Sequence, residues 1–158
     1  GEIKIKANPK NTFVSGSEEE TRAIAQQILK RDEKSLKSKC LVFALQGELG
    51  SGKTQFAKGL AKALGIRDNV VSPTFTIIRE YPFKRNVFYH LDTWRLEKGE
   101  ELLDLGLEKM LKPGNVVAVE WMQKVRPILT RLSRNKKTQL VWINIEHLSE
   151  TKRKLSYK

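Results

Sequence analysis

Apolar residues recur along this chain with two periods, and the switches between them outline strands and helices. Ser17-Glu18-Glu19-Glu20 has the form of a capping box, with Ser17 as N-cap and Glu20 reaching back from the first turn. Ile24, Ile28 and Leu29 follow at helical spacing, which predicts a helix from about Glu18 to Arg31. The lysine-rich stretch Lys34 to Lys39 reads as a solvated loop. Leu41-Val42-Phe43-Ala44-Leu45 is a continuous apolar run, the pattern of a strand buried on both faces. A second helix is expected from near Lys53, with Phe56, Leu60 and Leu64 on one side and Gly65 where a C-terminal cap belongs.

Thr74 to Tyr81 and Asn86 to Leu91 predict two strands joined by a turn around Pro82 to Arg85. A helix is expected from about Lys98 to Leu111, stopped by Pro113-Gly114. Asn115 to Glu120 and Gln139 to Ile145 read as further strands, separated by a short basic helix or loop from Gln123 to Lys137. The charged tail from Ser149 adds an edge strand or frays. Apolar strands alternating with helices indicate an α/β three-layer sandwich, and the hairpin makes its central sheet mixed, though mainly parallel. The length of 158 residues suits one domain spanning the whole chain, 1–158.

Between the first buried strand and the second helix lies Gly47-Glu48-Leu49-Gly50-Ser51-Gly52-Lys53-Thr54, a full match to G-x-x-x-x-G-K-[ST], the P-loop or Walker A pattern. Its glycines let successive backbone N–H groups converge on phosphate oxygens, and the helix start adds a favourable dipole. Lys53 supplies a cation for the β- and γ-phosphates, and the Thr54 hydroxyl is a hard ligand for Mg²⁺. Such a loop also needs a carboxylate near the metal, at the end of a neighbouring strand. Glu120 and Asp92 both fit, and either could hold Mg²⁺ or polarise the attacking water. Ser72-Pro73-Thr74-Phe75-Thr76 could sense the γ-phosphate as a switch, or its threonines could simply begin a strand. Guanine recognition is not expected: Asn135-Lys136-Lys137-Thr138 lacks the Asp of N-K-x-D, and the third residue after Asp92 is Arg95. ATP is therefore the expected nucleotide.

Composition adds a partner class. With 30 Lys+Arg against 18 Asp+Glu the formal charge is +12, an excess that favours polyanions such as nucleic acid or an acidic protein. No apolar run is long enough to span a membrane, and no signal-peptide core opens the chain, so a cytoplasmic location without membrane contact is expected. Cys40 has no cysteine to pair with and reads as a small core residue; with two scattered histidines no zinc site is indicated. From Met122 to Thr138 there are six basic residues and no acidic one. Arg126, Arg131 and Arg134 could form the lid of a small-molecule kinase, or the stretch could be a solvated basic face. A nucleotide-dependent binding module that does not hydrolyse is a third possibility.

Further blocks carry a family resemblance. The P-loop resembles the G-[DE]-L-G-[AS]-G-K-T loop of the TsaE family, bacterial ATPases required for tRNA threonylcarbamoyladenosine synthesis. Asn69 to Thr76 is similar to the family's N-V-x-S-P-T-[FY]-T. Tyr89 to Leu96 is similar to Y-H-x-D-x-Y-R-L, with Trp94 where Tyr is usual. Glu100 to Leu107 resembles E-E-L-x-x-[LM]-G-[IL], and Val119-Glu120-Trp121 resembles [IV]-E-W. The blocks span Gly47 to Trp121, about half of the chain.

The resemblance implies a P-loop ATPase using ATP and Mg²⁺ with TsaD-type and TsaB-type partners. It implies Thr54 and Glu120 as metal ligands, with Asp92 close to the metal and needed for hydrolysis alongside Lys53. Glu48, Leu49, Gly50, Ser51, Gly52, Lys53 and Thr54 would hold the phosphates. Thr74 and Thr76 would belong to the switch, Trp121 would lie near the nucleotide, and Thr21 would lie at the base. The family's arginine after the last central strand corresponds to Arg153. The basic surface could face tRNA or an acidic partner.

Overall fold

The computed structural model describes residues 3–7, 11–48, 50–74 and 76–158, without the side chain of Met122. Leu49 and Phe75 lie outside the described residues. The strands are β1 (Thr12–Ser15), β2 (Cys40–Gln46), β3 (Ile78–Phe83), β4 (Asn86–Asp92), β5 (Val116–Glu120), β6 (Thr138–His147) and β7 (Arg153–Tyr157). They form one seven-stranded sheet in the order β1-β7-β6-β2-β5-β4-β3. The four central strands β6, β2, β5 and β4 are parallel, whereas β3, β7 and β1 join by antiparallel pairing.

The helices are α1 (Glu18–Asp32), α2 (Lys53–Ala63), α3 (Glu101–Asp104), α4 (Leu107–Met110) and α5 (Arg126–Leu132). Strand alternation divides the core into two layers. On β2, Leu41, Phe43 and Leu45 pack with Ile24 and Ile28 of α1 and Phe56 and Leu60 of α2. Cys40, Val42 and Ala44 pack on the other face with Leu102, Leu107, Met110 and Ile128 from α3, α4 and α5. Burial pushes the Cys40 thiol up to about 12, so this residue is core, as its sequence position suggests. Among the described residues no helix is long and apolar enough to cross a membrane.

The capping at α1 follows the sequence: Ser17 Oγ accepts the Glu20 N–H at 3.1 Å. The Glu20 carboxylate reaches back to the Gly16 N–H, one residue before the cap, at 3.1 Å. Several boundaries depart from expectation. The segment read as a loop at Lys34 to Lys39 is mostly a 3-10 turn, Glu33–Lys37. Thr74, Thr76 and Ile77 are not strand, and β3 starts at Ile78 and runs through Pro82 on the sheet edge, where a missing N–H costs no ladder bond on the outer side. The helix expected over Lys98 to Leu111 is cut into α3 and α4 because Gly106 adopts φ 95, a left-handed conformation that no helix interior contains. The tail is neither frayed nor an edge: β7 lies between β1 and β6, and β1 is a strand that the sequence pattern did not indicate.

Helices α1 and α2 meet at Gly59. A Cβ there would lie 2.3 Å from the Arg22 carbonyl oxygen and 2.7 Å from the Ala25 Cβ. Replacing a helix-interior glycine by alanine ordinarily stabilises by about 1 kcal/mol. Gly59→Ala should instead destabilise by about 1–3 kcal/mol through overpacking. Urea unfolding reads the sign, and a raised midpoint would contradict this account of the helix contact.

Candidate nucleotide site

Three parallel strands deliver the site at their carboxyl ends. β2 runs into the P-loop, β4 ends at Asp92 and β5 ends at Glu120. Asp92 and Glu120 are register partners on adjacent strands, so their side chains emerge together on the face that carries α2. Both are almost fully buried, at 1% and 3% exposure. Lys53 opens α2 after Gly52, whose φ of 114 lets the loop turn into the helix. A cleft of about 230 Å³ is lined by Glu18, Gly50, Gly52, Lys53, Thr54, Gln55, Ser72, Thr74, Asp92, Glu120 and Trp121.

The Lys53 ammonium donates to the Gly47 carbonyl at 2.6 Å and sits 3.5 Å from the centre of the Trp121 ring. Burial lowers its pKa below the ordinary lysine value, while the charges of Glu120 and Asp92 pull it back up. Asp92 accepts the Thr74 hydroxyl at 3.0 Å and the Trp94 N–H at 2.9 Å. Glu120 meets the Nε2 atom of His90 at 2.5 Å. Trp121 packs at a tilt against Trp94, with ring centres 4.9 Å apart, and Trp94 remains 58% exposed.

Two residues beside the carboxylates hold backbone conformations that side chains rarely adopt. Ile77 has φ 68, and its carbonyl accepts the Asp92 N–H. Trp121, next to Glu120, has φ 57. A β-branched residue in that region is an outlier that only its surroundings can hold in place.

A second hollow of about 350 Å³ adjoins the P-loop and is lined by Thr21, Ser51, Gln55, Glu150, Thr151 and Arg153, among others. Arg153 donates to the carbonyls of Ser51 at 3.1 Å and Gly50 at 3.3 Å, holding the back of the loop. Its guanidinium is in turn anchored on the carbonyls of Ser149, Glu150 and Lys152. Ser51 Oγ is buried without a hydrogen-bond partner.

The structure thus brings Gly50, Gly52, Lys53, Thr54, Thr74, Asp92, Glu120 and Trp121 onto one cleft, and puts Ser51 and Thr21 on the neighbouring hollow. The Thr21 hydroxyl is shared with Ser15 at 2.7 Å. Glu48 is exposed and outside both linings, and exposed Thr76 faces the Pro73 carbonyl at 3.4 Å. The kinase-lid arginines do not reach the cleft: Arg126 lies over the Trp142 ring at 4.8 Å, and neither Arg131 nor Arg134 is in the lining. Glu18 and Gln55 line the cleft without having been singled out, and Ser72 of the switch candidate lines it too. Glu18 was legible only as the first residue of a helix.

The donor set suits a divalent cation. Buried Asp92 and Glu120 face one buried lysine, which leaves negative charge uncompensated, and Thr54 adds a hard hydroxyl oxygen. Among the described residues no group of three His, Cys, Asp or Glu is close enough to hold a metal alone. One or two carboxylates together with phosphate and water oxygens are the usual ligands of Mg²⁺, and Asp92, Glu120 and Thr54 are the residues that could contribute to such a set.

The sequence model of the family described as "Threonylcarbamoyl adenosine biosynthesis protein TsaE" matches residues 15–155. The chain belongs to the TsaE family. A tRNA threonylcarbamoyladenosine biosynthesis protein TsaE from Rickettsia felis is 35% identical over 142 residues, covering 89% of this chain and 75% of that protein. Its Bacillus subtilis counterpart is 49% identical over 80 residues, 51% of this chain and 49% of that protein. In three dimensions the chain is similar to the crystal structure of YdiB from Bacillus subtilis, with TM-score 0.63 and 27% identity over 98% of this chain and 86% of that one. These matches assign the chain to tRNA threonylcarbamoyladenosine biosynthesis, and the TsaE family implies nucleotide binding.

Arg153 provides a test of the loop's support. Arg153→Ala should weaken nucleotide binding by about 3–10-fold, the scale of the net contribution of one ordinary hydrogen bond. Titration calorimetry reads this directly, and unchanged affinity would show that the loop holds its shape without the guanidinium.

Proposed function

We propose that this TsaE-family chain is a Mg²⁺-dependent ATPase. Its hydrolysis would reset a TsaD–TsaB-type complex that modifies the adenosine next to the anticodon of tRNA. The observation that carries this reading is the buried pair Asp92 and Glu120, set side by side at adjacent strand ends opposite Lys53. Lys53 exchanges its Gly47 carbonyl for the β- and γ-phosphates when nucleotide enters, and the loop amides take the remaining oxygens. Thr54 and Glu120 would hold the cation, which would supply charge neutralisation to the phosphates. Asp92 would orient the attacking water.

The Thr74 hydroxyl links Asp92 to the segment from Ser72 to Ile77, and the strained Ile77 receives the Asp92 N–H. A phosphate that competes with Asp92 for the Thr74 hydroxyl would therefore pull on this segment, which makes Thr74, with neighbouring Thr76, the switch that reports nucleotide state. The basic excess of the chain suits a pathway whose substrate is tRNA, through direct contact or through an acidic partner surface. The nucleotide is ATP rather than GTP, since Asn135 to Thr138 offers no carboxylate to a guanine.

Phosphate release from Mg-ATP and Mg-GTP, with and without a TsaD–TsaB complex and tRNA, tests the proposal. Slow release selective for ATP and accelerated by the complex is expected; equal use of GTP, or indifference to the complex, would count against it. Asp92→Asn and Glu120→Gln should each lower turnover by about 10²-fold or more, as for loss of one charge-stabilising group, with Asp92→Asn retaining ATP binding. A double variant with full turnover would remove both carboxylates from the mechanism.

A further inference from the structure

Of the two histidines, His147 is exposed at the end of β6, whereas His90 is fully buried on β4. Nothing in the nucleotide reading uses His90. Its Nε2 lies 2.5 Å from Glu120 Oε2, and its Nδ1 is buried with no hydrogen-bond partner. The ring lies nearly parallel to Phe88, with centres 6.3 Å apart and planes at 10°. A carboxylate can only accept, so the proton of this contact belongs to Nε2. The opposite tautomer would put two acceptors face to face and bury an N–H at Nδ1 without an acceptor, which costs more than an unused lone pair.

Register explains how the contact forms. His90 pairs with Ala118 and Asp92 with Glu120, so the imidazole reaches diagonally across to the Glu120 carboxylate on the same sheet face. Lys53 is a competing partner there, since its ammonium feels the charges of both carboxylates. A glutamate held only by its own rotamers would be free to fold onto that ammonium.

We propose that His90 is a positioning residue for the metal site. Its Nε2–H pins one oxygen of Glu120 to the sheet, so that the carboxylate stays turned to a divalent cation instead of collapsing onto Lys53. The inference rests on the reading of Glu120 as a metal ligand.

The test compares His90→Gln, which can place an amide N–H near the Nε2 position, with His90→Phe, which keeps the stacking on Phe88 but has no donor. The quantity measured is the ratio of ATP affinities in Mg²⁺ and in EDTA. His90→Gln should hold this ratio within about 3-fold, whereas His90→Phe should lower it by about 10–100-fold, the range for lost outer partners of metal ligands. Affinity in EDTA should be unchanged in both. Equal behaviour of the two variants, or a wild-type ratio in His90→Phe, overturns the proposal.

Glu120→Gln separates the two layers of the argument. If it leaves the ratio untouched, the metal reading fails and the proposal with it. If it abolishes the ratio while His90→Phe keeps it, only the role of His90 fails. Should His90→Phe not fold, imidazole ¹⁵N NMR of the wild-type protein decides: a proton on Nε2 whose resonance moves on adding Mg-ATP supports the proposal. A proton on Nδ1, or an Nε2–H resonance indifferent to Mg-ATP, overturns it.

Discussion

Asp92 and Glu120 end neighbouring parallel strands in register, and the fold leaves each of them 3% exposed or less. Two carboxylates out of water repel one another and lack solvation, so the surrounding chain has to supply charge and donors. Lys53 supplies the charge, the Thr74 hydroxyl and the Trp94 N–H bind Asp92, and His90 binds Glu120. One lysine does not balance two carboxylates. The remaining negative charge is what a divalent cation carried by a polyphosphate would neutralise.

The rest of the architecture can be understood as support for that arrangement. The parallel order β6-β2-β5-β4 brings the P-loop and both carboxylates to one end of the sheet. Helices α1 and α2 pack closely at Gly59 and fix where Lys53 begins its turn. β7 inserts between β1 and β6, which carries Arg153 behind the loop. Strain is placed beside the chemistry: Ile77 and Trp121 hold unfavourable backbone angles in contact with the residues that would meet the cation. A segment under strain and tied to Asp92 by two hydrogen bonds is suited to rearrange when phosphate enters or leaves.

What the sequence disclosed depends on how local the signal is. The apolar runs of β2 and β5 and the glycine-rich loop are contiguous, so periodicity and motif spacing located them. β1 has only four residues and exists because β7, from the far end of the chain, pairs with it. From Lys154 on, β7 alternates polar and apolar residues, a pattern shared by an edge strand, and only its two neighbours make it internal. Gly106 reads as one tolerated glycine in a helix until its positive φ splits α3 from α4. The threonines before β3 favour strand by propensity, yet that segment is held out of the sheet by turns onto Pro73 and by the bond to Asp92. His90 sits within an apolar strand, but its partner lies 30 residues away and no spacing rule links them.

A crystal structure with Mn²⁺ and a non-hydrolysable ATP analogue bears most directly on the central claim, because the metal can be located by its own anomalous scattering. The account predicts a single metal coordinated by the Thr54 hydroxyl, phosphate oxygens and at least one of Glu120 and Asp92, directly or through water, at oxygen distances of about 2.0–2.2 Å. Lys53 should have left the Gly47 carbonyl for the phosphates. A metal bound away from both carboxylates, or phosphates seated outside the cleft, would contradict it.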